Sequence, residues 1–313
     1  MGLRFLVLGA GGVGGYFGAR LTEGGVDTTF LVRAPRRDRL LSSGIKIQSD
    51  FSDDANVPAV KAITPEEIEE SFDVILVTCK AYQLDDAMEA IAPAVDSDTA
   101  ILPVLNGMKH IEMLGARFGK ERVIGGTTYI GARLDAETGN IIHFGDFHRI
   151  AFGEMSGGTS ARVEAIAALD DTVKFDFDLS EDISQVLWDK FAMLCAMSSA
   201  NTLTQGTVGE ILDTPSGHEF LTAALSELRT TADALGHTVT DKTIALYEKM
   251  FSTQGSKFAS SMLRDVLAGN PSEGDHIIGD MVDRAKAAGL HTPILLGARA
   301  GLAVHEQKVA AAD

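Results

Sequence analysis

The sequence has little cysteine and a deficit of positive charge. Cys79 and Cys195 are the only cysteines among 313 residues, too few for a disulfide framework or a four-thiolate zinc site. Lys and Arg number 27 against 44 Asp and Glu, and the resulting net charge of −17 repels phosphate backbones, which excludes nucleic acid as a general partner. The eight histidines show no metal-ligand spacing, so we expect no metal site.

The sequence also lacks long apolar runs. Runs such as residues 5–8 and 74–77 are too short to span a bilayer, and the N-terminus leads directly into a strand pattern. We therefore expect no membrane partner and a soluble, cytoplasmic protein. A hydrophobic content of 45% and a charged content of 23% are ordinary globular values, and the length allows two domains.

The first half of the chain alternates apolar strand patterns with helical stretches. Strands are predicted over residues 4–8, 28–32, 73–78 and 99–105, and helices over residues 15–24 and 82–92. Near-continuous apolar strands separated by helices are typical of a doubly wound parallel sheet with helices on both faces. The glycine-rich residues 123–150 are predicted to add further strands to that sheet, with a turn near residues 135–139.

The pattern changes near residue 180. Helices are predicted over residues 181–201, 215–236, 240–252, 257–268, 273–288 and 293–307, followed by a frayed tail at residues 309–312. The predicted fold class is therefore α/β. An N-terminal Rossmann-type doubly wound domain comprises residues 1–180, and an all-α C-terminal domain comprises residues 181–313.

A glycine-rich turn follows the first predicted strand and opens the first helix. Its spacing, with glycines at positions 9, 11 and 14, matches the dinucleotide fingerprint, in which glycines permit a tight turn and close approach of a pyrophosphate. The residues predicted to bind the cofactor here are Gly9, Gly11, Gly12, Val13 and Gly14. A plain tight turn between strand and helix is the alternative.

Four arginines lie just past the second predicted strand. NAD-selective sites place an acid at this point, whereas this chain has Arg33, followed by Arg36, Arg37 and Arg39. A guanidinium group suits a 2′-phosphate, so the sequence predicts NADP (NADPH) as the cofactor, with Arg33 as the leading contact. Solvated loop charges are the alternative interpretation.

Several further motifs follow in a fixed order. They are residues 77–83 (VTCKAYQ), 105–108 (LNGM), 187–190 (LWDK) and 260–265 (SSMLRD), with Glu273 after the last. Together with the glycine turn they resemble the ketopantoate reductase (2-dehydropantoate 2-reductase) family over nearly the whole chain. The resemblance implies NADPH-dependent reduction of a 2-oxo acid, most simply ketopantoate to pantoate in pantothenate biosynthesis, with the substrate in a cleft between the domains.

The resemblance also implies roles for individual residues. Lys190 matches the family's general acid, Glu273 its active-site carboxylate and cofactor contact, and Ser261 the hydroxyl that holds the substrate. Asn106 matches the asparagine beside the nicotinamide and substrate, and Lys80 a lysine near the cofactor. The plainer alternatives are exposed lysines for the two amines, a helix-capping carboxylate for Glu273 and an Asn-Gly turn for Asn106.

The chain departs from the family pattern near Lys190. Leu194 and Ser198 occupy positions of family asparagines, and Phe258 replaces another asparagine three residues before Ser261. Ser198 is kept as a predicted substrate-binding residue, whereas Leu194, one helical turn from Lys190, makes the adjoining wall apolar. Because a site without those polar groups discriminates less, a different, less polar carbonyl compound or hydroxy acid is the alternative substrate.

A non-catalytic NADP-binding sensor is the alternative outside the enzymes. The retained set of Lys190, Glu273 and Ser261 argues against it, because a sensor needs no general acid. The predicted partner is a small-molecule 2-oxo acid. The sequence leaves the oligomeric state open, with a homodimer as one alternative.

Overall fold

The computed structural model describes residues 2–311, which form two compact units. The first unit comprises residues 2–105 and 110–184, and the second comprises residues 106–109 and 185–311. The short segment 106–109 therefore belongs with the helical unit, although it follows a strand of the first unit along the chain. Among the described helices, none has the length and apolar character needed to cross a membrane.

A five-stranded parallel sheet forms the centre of the first unit. In spatial order its strands are β5 (Lys61–Ile63), β2 (Asp27–Leu31), β1 (Arg4–Leu8), β6 (Val74–Val77) and β7 (Ala100–Pro103). With β1 in the middle, successive strands are added to either side of it, which is the doubly wound arrangement. The four predicted strands are confirmed, and the short edge strand β5 was not predicted.

Alternate side chains of β1 belong to two different apolar clusters. Phe5 lies in the cluster that includes helix α1 (Gly12–Glu23), and the next residue, Leu6, lies in the cluster that includes helix α3 (Leu84–Ile91). Since successive residues of a strand face opposite sides of a sheet, helices cover both faces. The remaining helices of this part of the chain are α2 (Ala34–Ser43), α4 (Lys109–Phe118) and α5 (Ala161–Ala167).

A second sheet covers the other side of α1. It contains β10 (Asp176–Leu179), β9 (Ile141–Gly153), β3 (Ile45–Ser49) and β4 (Ala55–Val57) in spatial order, and β8 (Gly125–Leu134) pairs antiparallel with β9. The prediction that residues 123–150 extend the first sheet is right only at Val123, which forms an isolated parallel bridge with Ile101 of β7. It is wrong for the rest, because β8 and β9 form a hairpin of this separate sheet. The predicted turn at residues 135–139 does connect them.

The second sheet is needed because α1 is buried around its whole circumference. Every residue from Gly14 to Leu21 is buried. Tyr16 and Phe17 share one cluster with Ile141 and Phe152 of β9. A helix without a polar face requires apolar cover on all sides, and one sheet supplies cover on only one side.

The second unit is helical, as predicted. Its helices are α6 (Ile183–Thr204), α7 (Val208–Leu212), α8 (Gly217–Ala234), α9 (Asp241–Ser252), α10 (Ser261–Leu267), α11 (Asp280–Ala287) and α12 (Pro293–Ala310), and a π-helical turn (Asp275–Gly279) precedes α11. Helix α7 and the π-helical turn were not predicted. Residues 309–310 are helical where a frayed tail was predicted, and residue 312 of that tail lies outside the described residues.

Asp189 of α6 fixes the start of α9. Its Oδ1 accepts hydrogen bonds from the backbone N–H of Thr240 at 3.0 Å and from Nε2 of Gln185 at 2.8 Å. Its Oδ2 accepts from the hydroxyls of Thr240 at 2.5 Å and Thr243 at 2.9 Å. One carboxylate therefore ties α6 to the N-terminus of α9, immediately beside Lys190.

We expect Asp189→Ala to lower the free energy of unfolding by about 2–3 kcal/mol, because it leaves several partly buried donors unsatisfied. Denaturant unfolding followed by circular dichroism measures the change. Asp213→Ala is the matched control, since the Asp213 side chain is exposed and makes no hydrogen bond to a described residue. Equal unfolding midpoints for both variants would show that the Asp189 network does not stabilise the fold.

Candidate functional site

The glycine-rich turn between β1 and α1 is closely packed at Gly14 and open at Gly11. Gly9 has a φ of 94°, which favours glycine, and a side chain at Gly14 would collide with Oγ1 of Thr78 and lie 2.5 Å from the carbonyl oxygen of Gly9. Apart from Gly11 and its two neighbours in the chain, no atom of residues 2–311 lies within 4 Å of the position that a Cβ of Gly11 would take. No side chain of the described residues caps the N-terminus of α1. The turn therefore presents backbone N–H groups to an anion that can approach closely.

Neighbouring strands hold the turn in place. Thr78, which follows β6, donates a hydrogen bond from Oγ1 to the carbonyl oxygen of Leu8 at 2.7 Å. A Cβ at Gly12 would lie 2.5 Å from the carbonyl oxygen of Ala132 in β8, and Val13 is half-buried. The sequence interpretation missed Thr78. Its position directly after a strand of a parallel sheet is the signal that could have identified it.

Three of the predicted cationic residues have different surroundings. The guanidinium of Arg33 is exposed at the N-terminus of α2 and forms no ion pair with a described residue. Arg37 forms an ion pair with Glu67 at 2.5 Å, and Nη2 of Arg39 donates to the carbonyl oxygen of Glu137 at 2.9 Å. Of these three, Arg33 is the one whose side chain makes neither an ion pair nor a hydrogen bond with a described residue.

Arg36 reaches the glycine turn itself. Its Nη2 donates to the carbonyl oxygen of Ala10 at 2.9 Å, and its buried Nε has no hydrogen-bond partner among residues 2–311. Burial lowers the pKa of Arg36, and the charge of Arg39 lowers it further. A buried N–H without a partner, next to an open glycine turn and the exposed Arg33, fits a phosphate-bearing dinucleotide.

Lys80 lies at the same edge of the sheet as the glycine turn. It is half-buried just beyond β6, where its backbone N–H donates to Oε1 of Gln83 at 3.4 Å in a short 3-10 turn (Ala81–Gln83). Because β6 is the parallel neighbour of β1, both segments leave the sheet at its carboxyl edge, where ligands bind in open α/β sheets.

Lys190 interrupts the buried surface of α6. Leu187 and Phe191 are buried, whereas Lys190 and Leu194, one helical turn apart, are half-buried. Burial lowers the pKa of Lys190 to about 8, and the carboxylate of Glu273 opposes this by raising it. An amine with such a pKa is charged at neutral pH and gives up its proton readily.

Glu273 and Asn106 lie at the two sides of the π-helical turn. Glu273 is 7% exposed, and its carbonyl oxygen accepts the N–H of Ile277 at 3.0 Å. Asn106 is half-buried and precedes Gly107, which has a φ of 92°. A side chain at Gly107 would lie 3.3 Å from the ring of His276. The Asn-Gly turn therefore packs directly on the segment that carries Glu273.

His276 and Cys195 add uncharged groups to this surface. Burial lowers the pKa of His276 to about 4, with a further contribution from the charge of Lys109, so the imidazole is neutral at pH 7. The thiol of Cys195 donates to the carbonyl oxygen of Ile277 at 3.7 Å, and burial raises its pKa, so it is also uncharged. The sequence interpretation did not include His276. Its place three residues after Glu273 was the available signal.

The two predicted substrate-binding serines differ in exposure. Ser261 is half-buried at the first position of α10, and its hydroxyl makes no hydrogen bond to a described residue. The neighbouring Ser260 caps the helix by accepting the N–H of Leu263 at 3.2 Å. Ser198 is completely buried, and its hydroxyl has no partner within the described chain. The contact between Ser198 and a substrate stays a prediction.

Asn201 and Phe258 make contacts with backbone groups near the start of α10 and of α7. Oδ1 of Asn201 accepts the N–H of Ser260 at 2.9 Å, which ties α6 to the start of α10. The side chain of Phe258 is 43% exposed, and its carbonyl oxygen accepts the N–H of Val208 at 3.0 Å. Leu194 is therefore the substituted position that borders Lys190 most directly.

Each unit offers a distinct chemical capability. The first provides a glycine turn and arginines that suit a dinucleotide, and the second provides an ammonium group next to a carboxylate. A cationic donor of this kind can stabilise negative charge developing on an oxygen and then protonate it. Across residues 2–311, no group of three or more His, Cys, Asp and Glu side chains is arranged to hold a metal ion.

The chain is similar to known proteins over nearly its whole length. The family profile described as "Ketopantoate reductase PanE/ApbA" matches residues 5–157, and the profile described as "Ketopantoate reductase PanE/ApbA C terminal" matches residues 182–298. A protein of Bacillus subtilis (strain 168) named "Uncharacterized oxidoreductase YkpB" is 36% identical over 307 residues, which covers 97% of this chain and 99% of that protein.

Two further similarities have more specific names. A 2-dehydropantoate 2-reductase of Halobacterium salinarum is 25% identical over 295 residues, covering 94% of this chain and 95% of that protein. The crystal structure of 2-dehydropantoate 2-reductase from Methylococcus capsulatus superposes with a TM-score of 0.86 at 26% identity, and the match covers 98% of each chain.

Proposed function

We propose, because the chain belongs to the ketopantoate reductase family, that it reduces the carbonyl group of a 2-oxo acid to a hydroxyl group with NADPH. The chain is an oxidoreductase acting on CH–OH groups. The observation that carries the proposal is the half-buried amine of Lys190, whose pKa is set by burial and by Glu273. We assign cofactor binding to residues 1–180 and catalysis to residues 181–313.

Lys190 acts as the general acid in this proposal. Bound NADPH supplies the hydride for the carbonyl carbon. The charged Nζ of Lys190 donates a hydrogen bond to the carbonyl oxygen, stabilises the negative charge that develops there, and transfers its proton to that oxygen. Glu273 favours the charged amine against the effect of burial. Ser261 and Asn106 hold the polar groups of the substrate.

The cofactor residues follow from the first unit. The backbone of the glycine turn binds the pyrophosphate, and Arg33, with its exposed and unpaired guanidinium, binds the 2′-phosphate. Arg36 supports the turn through its hydrogen bond to Ala10. Lys80, at the same edge of the sheet, lies near the bound cofactor.

A second candidate function keeps this chemistry and changes the substrate. Leu194 is half-buried one turn from Lys190, where it presents an apolar surface beside the amine. The polar groups that would recognise a hydroxylated substrate are absent at this position. The second candidate is therefore reduction of a 2-oxo acid or other carbonyl compound less polar than ketopantoate.

We expect Lys190→Ala to lower kcat/KM for NADPH-dependent reduction by about 10²- to 10⁴-fold, because the general acid is lost. In the wild-type enzyme, kcat/KM for reduction should be constant at neutral pH and fall above about pH 8, because the acid form of Lys190 is then depleted. NADPH binding, followed by the fluorescence of the cofactor, should remain close to wild type in the variant.

Lys249→Ala provides the control, since Lys249 is exposed near the end of α9. Undiminished turnover in Lys190→Ala would remove Lys190 from the mechanism. A wild-type protein that binds NADPH but reduces none of a broad panel of 2-oxo acids would instead be the non-catalytic sensor.

We expect Arg33→Ala to weaken NADPH binding by about 10- to 100-fold, as expected for loss of a charged hydrogen bond to phosphate, with a much smaller change for NADH. Titration calorimetry with both cofactors measures the difference. Arg37→Ala is the control within the same segment, because Arg37 is already paired with Glu67. Equal losses for NADPH and NADH would show that Arg33 does not bind the 2′-phosphate.

We expect Leu194→Asn to raise kcat/KM for ketopantoate relative to a 2-oxo acid with an unbranched alkyl chain, because it restores a polar group beside Lys190. The expected change in that ratio is about 10-fold or more, corresponding to one hydrogen bond. A kinetic panel of 2-oxo acids measures it. If wild-type enzyme shows its highest kcat/KM with ketopantoate, the less polar substrate is the wrong choice.

A further inference from the structure

The residues on both sides of Glu273 are bound to a single carboxylate of helix α12. Oε1 of Glu306 accepts hydrogen bonds from both the backbone N–H and the hydroxyl of Ser272, at 2.8 and 2.7 Å. The same hydroxyl accepts the N–H of Gly274 at 3.2 Å. Glu306 therefore fixes the backbone immediately before and after Glu273.

Two more side chains of α12 hold the ends of this segment. Nε2 of His305 lies 2.8 Å from the carbonyl oxygen of Asn270. Arg299 forms ion pairs with Asp275 at 3.1 Å and with Asp283 at 2.5 Å, and thereby clamps the start of the π-helical turn to α11. A π-helical turn is rare and frequently lies at a functional site. In this chain, contacts from side chains of α12 stabilise the π-helical turn.

The packing between these contacts is close. Leu302 is 4% exposed, and a Cβ at Gly274 would lie 2.8 Å from its Cδ1. Arg299, Leu302 and Glu306 are spaced by three and four residues, so they share one face of α12. That face contacts Ser272, Gly274 and Asp275, the residues on either side of Glu273.

We propose that Arg299, Leu302 and Glu306 form a positioning surface that keeps the carboxylate of Glu273 beside Lys190. This inference rests on the proposed function, in which Lys190 is the general acid. Glu273 is 7% exposed, and a buried carboxylate is costly unless its surroundings hold it at a partner. None of the three residues is assigned a contact with substrate or cofactor. They act through Glu273.

Loss of this surface has a specific electrostatic consequence. Burial and Glu273 are the two influences that set the pKa of Lys190, and Glu273 is the one that raises it. When Glu273 moves away, the pKa of Lys190 falls below about 8. The pH above which reduction declines then moves to a lower value, which simple loss of stability does not cause.

The pH dependence of kcat/KM for Glu306→Ala tests the proposal. We expect the decline to begin about 0.5–1 pH unit lower than in wild type, with kcat reduced about 10-fold and KM for NADPH nearly unchanged. Glu306→Gln retains an acceptor oxygen for Ser272 and should keep the wild-type profile. Gln307→Ala, at the neighbouring exposed position of α12, is the control.

The pair of substitutions at Glu306 separates position from charge, because both remove the same negative charge. A wild-type profile in Glu306→Ala would overturn the inference, and so would equal shifts in Glu306→Ala and Glu306→Gln. Full turnover in Lys190→Ala would reject the proposed function instead. These two failures are therefore distinguishable.

If Glu306→Ala does not fold, as judged by circular dichroism, Arg299→Met gives the answer. Removing a positive charge would by itself raise the pKa of Lys190, whereas displacement of Glu273 lowers it. A decline that moves to lower pH supports the positioning surface. A decline that moves to higher pH, or does not move, contradicts it.

Discussion

Placing an ammonium group within an apolar helix is the constraint on which the second unit depends. Lys190 lies between Leu187 and Phe191, and burial there disfavours its charged form. Glu273 compensates for part of that cost, but Glu273 is itself buried and needs a rigid support. The support comes from α12, the last helix of the chain. The burial of one charged side chain therefore links three segments that are distant in the sequence, namely α6, the residues around Glu273 and α12.

The fold was predictable where the signal is local. Strand β1, the glycine turn and α1 follow from consecutive residues, and the helical second half follows from its periodicity and helix-stop residues. The second sheet was not predictable in this way. Strand β4 has only three residues, and Ile47 of β3 pairs with Ile141 of β9, a partner far away in the sequence. No local pattern specifies such a pairing.

The candidate site likewise contains residues that local sequence patterns predict and contacts that they do not. The predictions for Lys190 and Glu273 rest on short motifs in a fixed order, which residue type and spacing suffice to match. The contacts of Arg36 and Arg37 could not be predicted, because folding alone brings their partners, Ala10 and Glu67, to them. The complete burial of Ser198 could not be predicted either, because a position on a helix does not reveal which face its neighbours cover.

The enclosure of α1 between two sheets also bears on how the protein can change. Substitutions along residues 14–21 disturb packing on several sides, so this part of α1 tolerates little variation. Helix α2, in contrast, exposes most of its surface. The proposed 2′-phosphate contact at the start of α2 therefore lies where substitutions are tolerated, whereas the proposed pyrophosphate contact adjoins a closely packed helix. If the proposed function holds, substitutions on α2 can alter the preferred cofactor without repacking α1.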